Sequence, residues 1–233
     1  MDISCILPAY NEAENLKWIL PQIHRELKSL ALEYEILIVD TMEKLDDTDM
    51  VVSTGGAVYV RREGGNLYGD AIRTGLKRAQ GKYIVIMDAD GSHNPHDIVR
   101  FYNEMQKKPY SLIIGSRYCK NGHTNNNCVL IFMSWLLNVT YRILFGLRIK
   151  DISNSYRMYR AEYVKNLSLE CSNFDIVEEI LIKLKYTIPD FSVLEVPITF
   201  DKRRKGESKR DLVKFVKSYL KTIKRLMAIK RKL

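Results

Sequence analysis

The feature that most constrains the fold is a regular alternation of short apolar runs with helical patterns over the first half of the chain. The apolar runs lie at 3–7, 34–39, 57–60 and 83–87. Helical patterns follow the first, third and fourth runs, at 16–30, 70–79 and 97–105, and a polar loop follows the second. This alternation predicts an α/β fold with a mostly parallel sheet flanked by helices.

Three of the predicted strands end in residues that suit a binding edge. Pro8 closes the first strand, Asp40 the second and Asp88 the fourth. Because the carboxyl ends of parallel strands share one edge of a sheet, and ligands of open α/β sheets bind beyond that edge, we expect the active face there. The 233 residues are 46% hydrophobic, which is enough for one sizeable core. One large α/β domain and two small ones both fit this length, and we favour one domain, over residues 1–210.

Two carboxylates, Asp88 and Asp90, stand at the end of the fourth strand, just before a glycine turn. Carboxylate oxygens are the ligands that hard divalent cations prefer, so we predict a metal site there; a plain acidic turn is the alternative. Asp47 and Asp49 have the same spacing, and we interpret them as a solvated loop because they follow no apolar strand.

The phosphate-binding motifs common in such sheets are missing from the sequence, with no G-x-x-x-x-G-K-[ST] and no G-x-G-x-x-G after the first strand. A kinase or a dinucleotide enzyme is therefore disfavoured. Gly64, Gly65 and Gly69 precede a predicted helix, and an anion site and a plain connector both remain open there. The four cysteines form no C-x-x-C pair that would suggest a zinc site. We therefore expect reduced thiols in a cytoplasmic protein.

The net charge of +9 is concentrated at the C-terminus, since residues 202–233 hold 14 Lys and Arg against two acids. Residues 211–233 predict a basic amphipathic helix for an anionic membrane surface; a terminal helix packed on the domain with a solvated face is the alternative. Residues 129–147 form either a membrane-interface helix or a buried one. Polar residues at 138, 140 and 142 interrupt this segment, so we expect it to span a membrane poorly.

Six ordered motifs carry a resemblance to a known family. They are Leu7-Pro-Ala-Tyr-Asn-Glu-Ala-Glu-Asn-Leu16, Ile38-Val-Asp40, Tyr68-Gly-Asp-Ala-Ile-Arg-Thr-Gly75, Met87-Asp-Ala-Asp-Gly-Ser-His93, Gly115-Ser-Arg-Tyr118, and Glu195-Val-Pro-Ile-Thr-Phe200 leading into Arg203-Arg-Lys-Gly-Glu-Ser-Lys209. Over nearly its whole length the chain resembles the inverting family 2 glycosyltransferases of GT-A fold, within the dolichol-phosphate mannose synthase and polyprenyl-phosphate glycosyltransferase branch.

The resemblance implies a donor site for a nucleotide sugar of the GDP-mannose or UDP-glucose type. Asp88 and Asp90 would be the catalytic residues, holding the diphosphate through Mg²⁺ or Mn²⁺. The residues that it assigns to the base and ribose pocket or its surroundings are Pro8, Tyr10, Glu12, Asp40 and Asp70.

The resemblance also implies a polyprenyl phosphate acceptor, dolichyl or undecaprenyl. The residues that would face its phosphate are Arg117, Arg157, Arg203, Ser208 and Lys209. Forked guanidiniums with ammonium and hydroxyl support suit a phosphate. Such an acceptor is already an anion near neutral pH, so the reaction would be one inverting displacement driven by positioning and charge stabilisation, with little need of a general base.

Two departures from the family pattern bear on specificity. Thr41-Met42 follows Asp40 where the family has a second acid and a Gly-Ser turn, and 153–157 reads Ser-Asn-Ser-Tyr-Arg instead of Thr-Ser-Gly-Phe-Arg. Two alternatives therefore stay open, a transferase acting on a sugar hydroxyl and a non-catalytic binding homologue. A hydroxyl acceptor requires a general base, for which Asp175, Glu178 and Glu179 are candidates.

The start of the sequence lacks the basic residues and apolar core of a signal peptide. We therefore expect a cytoplasmic protein that is peripheral on the cytoplasmic face of a membrane. Nucleic acid is disfavoured as a partner because the basic C-terminal segment has few aromatic or base-reading features.

Overall fold

The computed structural model describes residues 1–205 and 212–232 of the chain, with only the backbone described at 212–218 and 232. The strands are β1 (Ile3–Pro8), β2 (Tyr34–Asp40), β3 (Val58–Arg61), β4 (Tyr83–Ile86), β5 (Leu112–Ser116), β6 (His123–Thr124), β7 (Arg157–Arg160), β8 (Val193–Pro197) and β9 (Thr199–Phe200). The helices are α1 (Ala13–Ser29), α2 (Thr48–Thr54), α3 (Tyr68–Arg78), α4 (His96–Lys107), α5 (Cys128–Phe145), α6 (Ala161–Val164), α7 (Ile176–Thr187) and α8 (Leu212–Lys232).

A seven-stranded sheet in the order β3-β2-β1-β4-β7-β5-β8 forms the centre of the protein. β3, β2, β1 and β4 are parallel to one another, as are β5 and β8. β7 runs antiparallel to both of its neighbours, β4 and β5. The prediction of a mostly parallel sheet flanked by helices is therefore confirmed. Because β7 runs the other way, the chain that enters it reaches the same edge at which β4 and β5 end.

Helices cover both faces of the sheet, which explains why its strands are apolar on both sides. Along β1, Cys5 and Leu7 join the core formed with α1, α2 and α4, whereas Ile6 joins the core formed with α3, α5, α7 and α8. Side chains of a strand alternate between faces, so one short apolar run contributes to both cores. The four strands expected in the first half of the chain are present at the predicted positions.

The segment after β2, predicted as a polar loop, contains the short helix α2. Asp47 occupies the N-cap position, and Thr48 and Asp49 lie in the first turn. The expectation of a loop at these residues is wrong because Val51 and Val52 are buried against α1 in the core. This burial stabilises a helix. The acidic residues at its start suggest a loop when the sequence is considered alone.

Helix α5 is capped at both ends yet exposes much of its apolar surface. The Asn127 side chain accepts a hydrogen bond from the backbone N–H of Leu130 (2.9 Å), and Gly146, at φ 60°, terminates the helix in the left-handed conformation that favours glycine. By length and composition this helix could cross a membrane, and only 22% of it is buried inside the protein. The polar residues at 138, 140 and 142 leave the helix apolar enough to meet this criterion of length and composition.

Candidate active site

The turn after β4 places Asp88 at the carboxyl edge of the sheet, half-buried, as the sequence predicts. The Tyr68 hydroxyl lies 3.3 Å from Oδ1 of Asp88, and the Ser155 hydroxyl lies 3.2 Å from both carboxylate oxygens. Tyr68 begins α3, and Ser155 lies in the segment that enters β7. Both hydroxyls donate to the carboxylate and fix its orientation.

Asp90 is held by its own turn. Oδ1 accepts hydrogen bonds from the backbone N–H (3.0 Å) and the hydroxyl (2.6 Å) of Ser92. Gly91 has φ 82°, and a Cβ at this position would lie 3.0 Å from the Trp18 ring. The turn therefore requires glycine on two counts, its backbone conformation and its close approach to α1.

His93 supports this turn from below. Its Nδ1 accepts a hydrogen bond from the backbone N–H of Asp88 (3.0 Å), and its Nε2 lies 3.3 Å from Oδ1 of Asn154. The ring stacks on Tyr156 and is almost fully buried. These contacts make His93 a structural support of the carboxylate turn.

The end of β2 places Asp40 in a buried position, 2% exposed. One carboxylate oxygen accepts a hydrogen bond from the Tyr59 hydroxyl (3.2 Å), and the other has no hydrogen-bond partner among the described residues. Burial raises the pKa of Asp40 above its ordinary value. An unsatisfied buried oxygen at the binding edge suits a hydrogen-bond donor on a ligand.

Arg62, which the sequence did not single out, ties the strand ends together. Its guanidinium donates to the carbonyl oxygens of Ala9 and Asn66 (2.6 Å for the latter), and its backbone N–H donates to the carbonyl of Asp40 (2.9 Å). It is 5% exposed. Its place directly after a short strand was the available signal, since polar residues at strand ends are where such sheets build sites.

Asp70 supports the loop before α3. Its Oδ2 accepts a hydrogen bond from the backbone N–H of Leu67 (2.9 Å), and its Oδ1 pairs with Arg73. A Cβ on Gly65 would lie 2.5 Å from Oδ2 of Asp70, so the glycine lets the loop pack on the carboxylate. These contacts favour the connector interpretation of the glycine cluster.

The loop after β1 places three of the predicted donor residues in different environments. Pro8 is buried at the strand end, whereas Tyr10 is 42% exposed. Glu12 is 8% exposed and accepts hydrogen bonds from Asn15 (2.5 Å) and Arg203 (2.5 Å). Burial raises the pKa of Glu12, an effect that its hydrogen bond with Asn15 and the charge of Arg203 oppose.

Arg117 follows β5 and is fixed by a buried carboxylate. Its Nε and Nη2 donate to the two oxygens of Asp151 (2.7 Å each), and Nη2 also contacts the hydroxyls of Ser153 (2.9 Å) and Ser134 (3.3 Å). Burial opposes the charge, but Asp151 outweighs burial and raises the pKa of Arg117. The side chain is a permanently charged guanidinium held in one orientation.

A pocket joins this arginine to the donor carboxylate. Asp88, Arg117, Ser153 and Ser155 contribute to its polar lining. The apolar lining includes Leu130, Met133 and Leu137, all from α5. One cavity therefore combines a carboxylate, a fixed guanidinium and an apolar wall.

Arg157 and Arg203, two further residues expected to face the acceptor phosphate, are not among the residues that line this pocket. Arg157 is fully buried, and its guanidinium donates to the backbone carbonyls of Ile152, Asn154 (2.8 Å) and Val177 (2.8 Å). We correct its assignment accordingly, because a buried guanidinium bonded to three carbonyls supports the fold. Ser208 and Lys209 lie outside the described residues.

The donor set at Asp88 and Asp90 fits a divalent cation. Within 1–205 and 212–232, no three His, Cys, Asp or Glu side chains group into a ready ion cage. Mg²⁺ is commonly held by one or two carboxylates together with substrate phosphates, and both carboxylates are half-buried and accessible. The arrangement suits an ion that arrives with a phosphate ligand.

Comparison with known sequences gives a family and two relatives. A sequence profile described as Glycosyl transferase family 2 matches residues 4–168. The chain is 36% identical, over 97% of its length, to a Dolichol-phosphate mannosyltransferase from Pyrococcus furiosus, and it spans 64% of that protein. It is 32% identical, over 88% of its length, to a Polyprenol monophosphomannose synthase from Mycolicibacterium smegmatis, of which it spans 79%.

A solved structure shares the fold. The crystal structure of glucosyl-3-phosphoglycerate synthase from Mycobacterium tuberculosis in complex with Mn²⁺, uridine-diphosphate and glucosyl-3-phosphoglycerate matches with a TM-score of 0.73 at 17% identity. The match covers 97% of this chain and 79% of the other. At this identity the likeness concerns the fold.

Proposed function

The chain belongs to glycosyl transferase family 2, and from that premise we propose that it transfers a sugar from a nucleotide sugar to a polyprenyl phosphate at a membrane surface. The observation that carries the proposal is the pocket in which Asp88 and Arg117 lie beside the apolar wall of α5. A phosphate on an apolar chain needs both a cationic and an apolar contact, and this pocket offers them next to a donor carboxylate.

On the donor side, Asp88 and Asp90 would hold a divalent cation, Mg²⁺ or Mn²⁺. That cation would neutralise the charge that grows on the departing diphosphate. Support comes from the accessible carboxylate pair at the sheet edge and from related folds solved with Mn²⁺ or Mg²⁺ and uridine-diphosphate. Pro8, Tyr10, Glu12 and Asp40 would surround the nucleoside, of the GDP-mannose or UDP-glucose type, while Asp70 supports the neighbouring loop.

On the acceptor side, Arg117 would bind the phosphate. Its Nε and Nη2 are bonded to Asp151, Ser134 and Ser153, whereas Nη1 has no hydrogen-bond partner among the described residues. Asp151 thus orients the guanidinium and leaves one donor nitrogen for a ligand. A phosphate bound there would lie in the same cavity as Asp88, which suits a direct displacement between donor and acceptor.

The carboxylates that a hydroxyl acceptor would need as a base are engaged elsewhere. Glu179 accepts hydrogen bonds from Lys183 (2.8 Å) and the Cys171 N–H (2.8 Å), Glu178 accepts one from the Tyr219 hydroxyl (3.0 Å), and Asp175 is bonded to Thr222. All three carboxylates are at most 4% exposed. Their burial favours an acceptor that is already an anion, because such an acceptor does not require proton removal.

The membrane surface would be contacted through α5. Its apolar side chains Phe132 and Trp135 are 60% and 53% exposed, and Ile143 is 76% exposed. Among the described side chains of α8, Tyr219 and Leu226 are buried against the domain whereas Leu220 is 56% exposed, so part of the apolar stripe of α8 packs on the domain. We therefore assign the apolar contact to α5 and only the electrostatic contact to α8, whose exposed cations include Lys221, Lys224, Lys230 and Arg231.

The test is sugar transfer with a panel of nucleotide sugars, Mn²⁺ and a short polyprenyl phosphate. We expect one donor to react only in the presence of the lipid phosphate, and Asp90→Ala to abolish transfer. Asp49→Ala is the matched control and should retain activity, since Asp49 has the same Asp-x-Asp spacing but lies on α2 and is salt-bridged to Lys44. Turnover that needs no lipid phosphate would contradict the proposed acceptor.

A further inference from the structure

A short segment after β9 crosses the carboxylate turn. Residues 201–205, here called the strap, are tied to the turn by two backbone hydrogen bonds. The N–H of Asp201 donates to the carbonyl of Ser92 (3.0 Å), and the N–H of Arg204 donates to the carbonyl of Asp90 (2.9 Å). The strap therefore lies directly on the turn that presents Asp90.

Arg203 of the strap joins two acids of the donor site. Its Nη2 donates to Oε1 of Glu12 (2.5 Å), and its Nε lies 3.6 Å from Oδ2 of Asp90. The side chains of Arg203, Glu12 and Asp90 are 25%, 9% and 20% exposed. Because all three are mostly sheltered, solvent and salt screen this interaction less than they screen a surface ion pair.

The neighbours of Arg203 fasten the strap to α1. The Arg204 guanidinium lies 4.5 Å above the Trp18 ring, a cation–π contact. Lys205 pairs with Glu14 (3.4 Å), with both side chains more than half exposed. Arg203 thus contacts the acids of the donor site, whereas the charged groups of Arg204 and Lys205 contact Trp18 and Glu14 of α1.

A divalent cation on Asp90 and a guanidinium against the same carboxylate repel each other. We propose that Arg203 and a divalent cation are alternative partners of Asp90, so that cation binding moves the Arg203 side chain and loosens the strap. This inference rests on the proposed function only in assigning the cation to Asp88 and Asp90. It reassigns Arg203 from the acceptor phosphate to the donor carboxylates.

The experiment measures Mn²⁺ binding to the full chain from the electron paramagnetic resonance signal of free Mn²⁺, without any substrate. We expect Arg203→Gln to bind Mn²⁺ about tenfold more tightly than the parent, because a positive charge near the ion is removed. Lys205→Gln, which removes a charge from the same strap, should change the affinity less than about twofold, since exposed pairs contribute little. Asp90→Asn should lose the site.

A second readout follows the strap itself. With Trp135→Phe as background, Trp18 is the sole tryptophan, and its emission reports on the Arg204 contact. We expect Mg²⁺ to change this emission with saturation, and to do so at lower concentration in Arg203→Gln.

Unchanged or weaker Mn²⁺ binding by Arg203→Gln would overturn the inference. Equal Mn²⁺ affinity of Asp90→Asn and the parent would overturn it as well. A protein that binds Mn²⁺ as expected but transfers no sugar would overturn the proposed function and leave the inference standing.

Discussion

Replacing Arg157 tests whether this residue supports the fold or binds a substrate. The Arg157→Met variant keeps an unbranched aliphatic stem. It removes the guanidinium, which donates to three backbone carbonyls in a fully buried position. Hydrogen bonds to charged groups contribute about 1.5–3 kcal/mol each, and part of this is recovered because a charge no longer has to be buried. We expect a loss of about 4 kcal/mol in the free energy of unfolding.

Arg160→Met is the matched control on the same strand. Arg160 is half-buried, and its Nε donates to one backbone carbonyl, that of Tyr110 (2.9 Å). We expect this variant to lose about 1 kcal/mol. For a protein of this size each kcal/mol lowers Tm by about 2–4 °C, so Arg157→Met should unfold about 8–16 °C below the parent and Arg160→Met about 2–4 °C below it.

The assay is urea and thermal unfolding followed by circular dichroism, together with acceptor kinetics at a temperature where every variant is folded. Under those conditions Arg157→Met should keep the parent KM for the acceptor. Equal stability of the two variants, combined with lost acceptor binding in Arg157→Met alone, would refute the reasoning and return Arg157 to the acceptor site.

Three further predictions concern pH, metal affinity and membrane binding. Burial raises the pKa of Glu178 from 4.5 to about 8, so the folded protein keeps a proton that the unfolded chain releases; the stability that Glu178 contributes should be complete below about pH 4.5 and be lost as the pH rises to about 8. Glu178→Gln should flatten this decline in urea unfolding, and an unchanged slope would exclude Glu178 as its source. Ser155→Ala, which removes a hydroxyl from Asp88, should weaken Mn²⁺ binding about tenfold in a calorimetric titration, whereas equal affinity would show that this hydroxyl does not orient the carboxylate. Phe132→Ser should reduce binding to anionic vesicles about tenfold or more in a sedimentation assay, while Met50→Ser, an equally exposed apolar site on α2, should not; equal losses would contradict a specific contact through α5.

The first half of the fold could be predicted because its signals are local. Each of the first four strands is a short apolar run, and three of them end in a residue that lies at the binding edge, among them Asp40 and Asp88. Parallel neighbours then follow from the alternation with helices. The placement of the donor carboxylates needed only strand ends and the rule that parallel strands end together.

The second half could not be predicted in the same way because its sheet order is non-local. β7 is inserted between β4 and β5, far from either in sequence. The sequence does not distinguish a buried arginine such as Arg157 from an exposed one. Only the burial seen in the structure indicates that Arg157 supports the fold and does not bind a ligand. The motif around Arg203 suggests a phosphate contact, and no local signal in the sequence predicts its ion pairs with Glu12 and Asp90.

The pairing of β4 with β7 joins two parts of the chain that contribute different halves of the candidate site. Residues 1–100 contribute the donor carboxylates, and residues 111–205 contribute Arg117 and the wall of the pocket. The sheet joins the two parts only through four residue pairs, from Tyr83–Arg160 to Ile86–Arg157. A chimaera that exchanges the second part therefore offers a route to new acceptors with an unchanged donor, provided that the strap is exchanged together with the surface of α1 on which it lies.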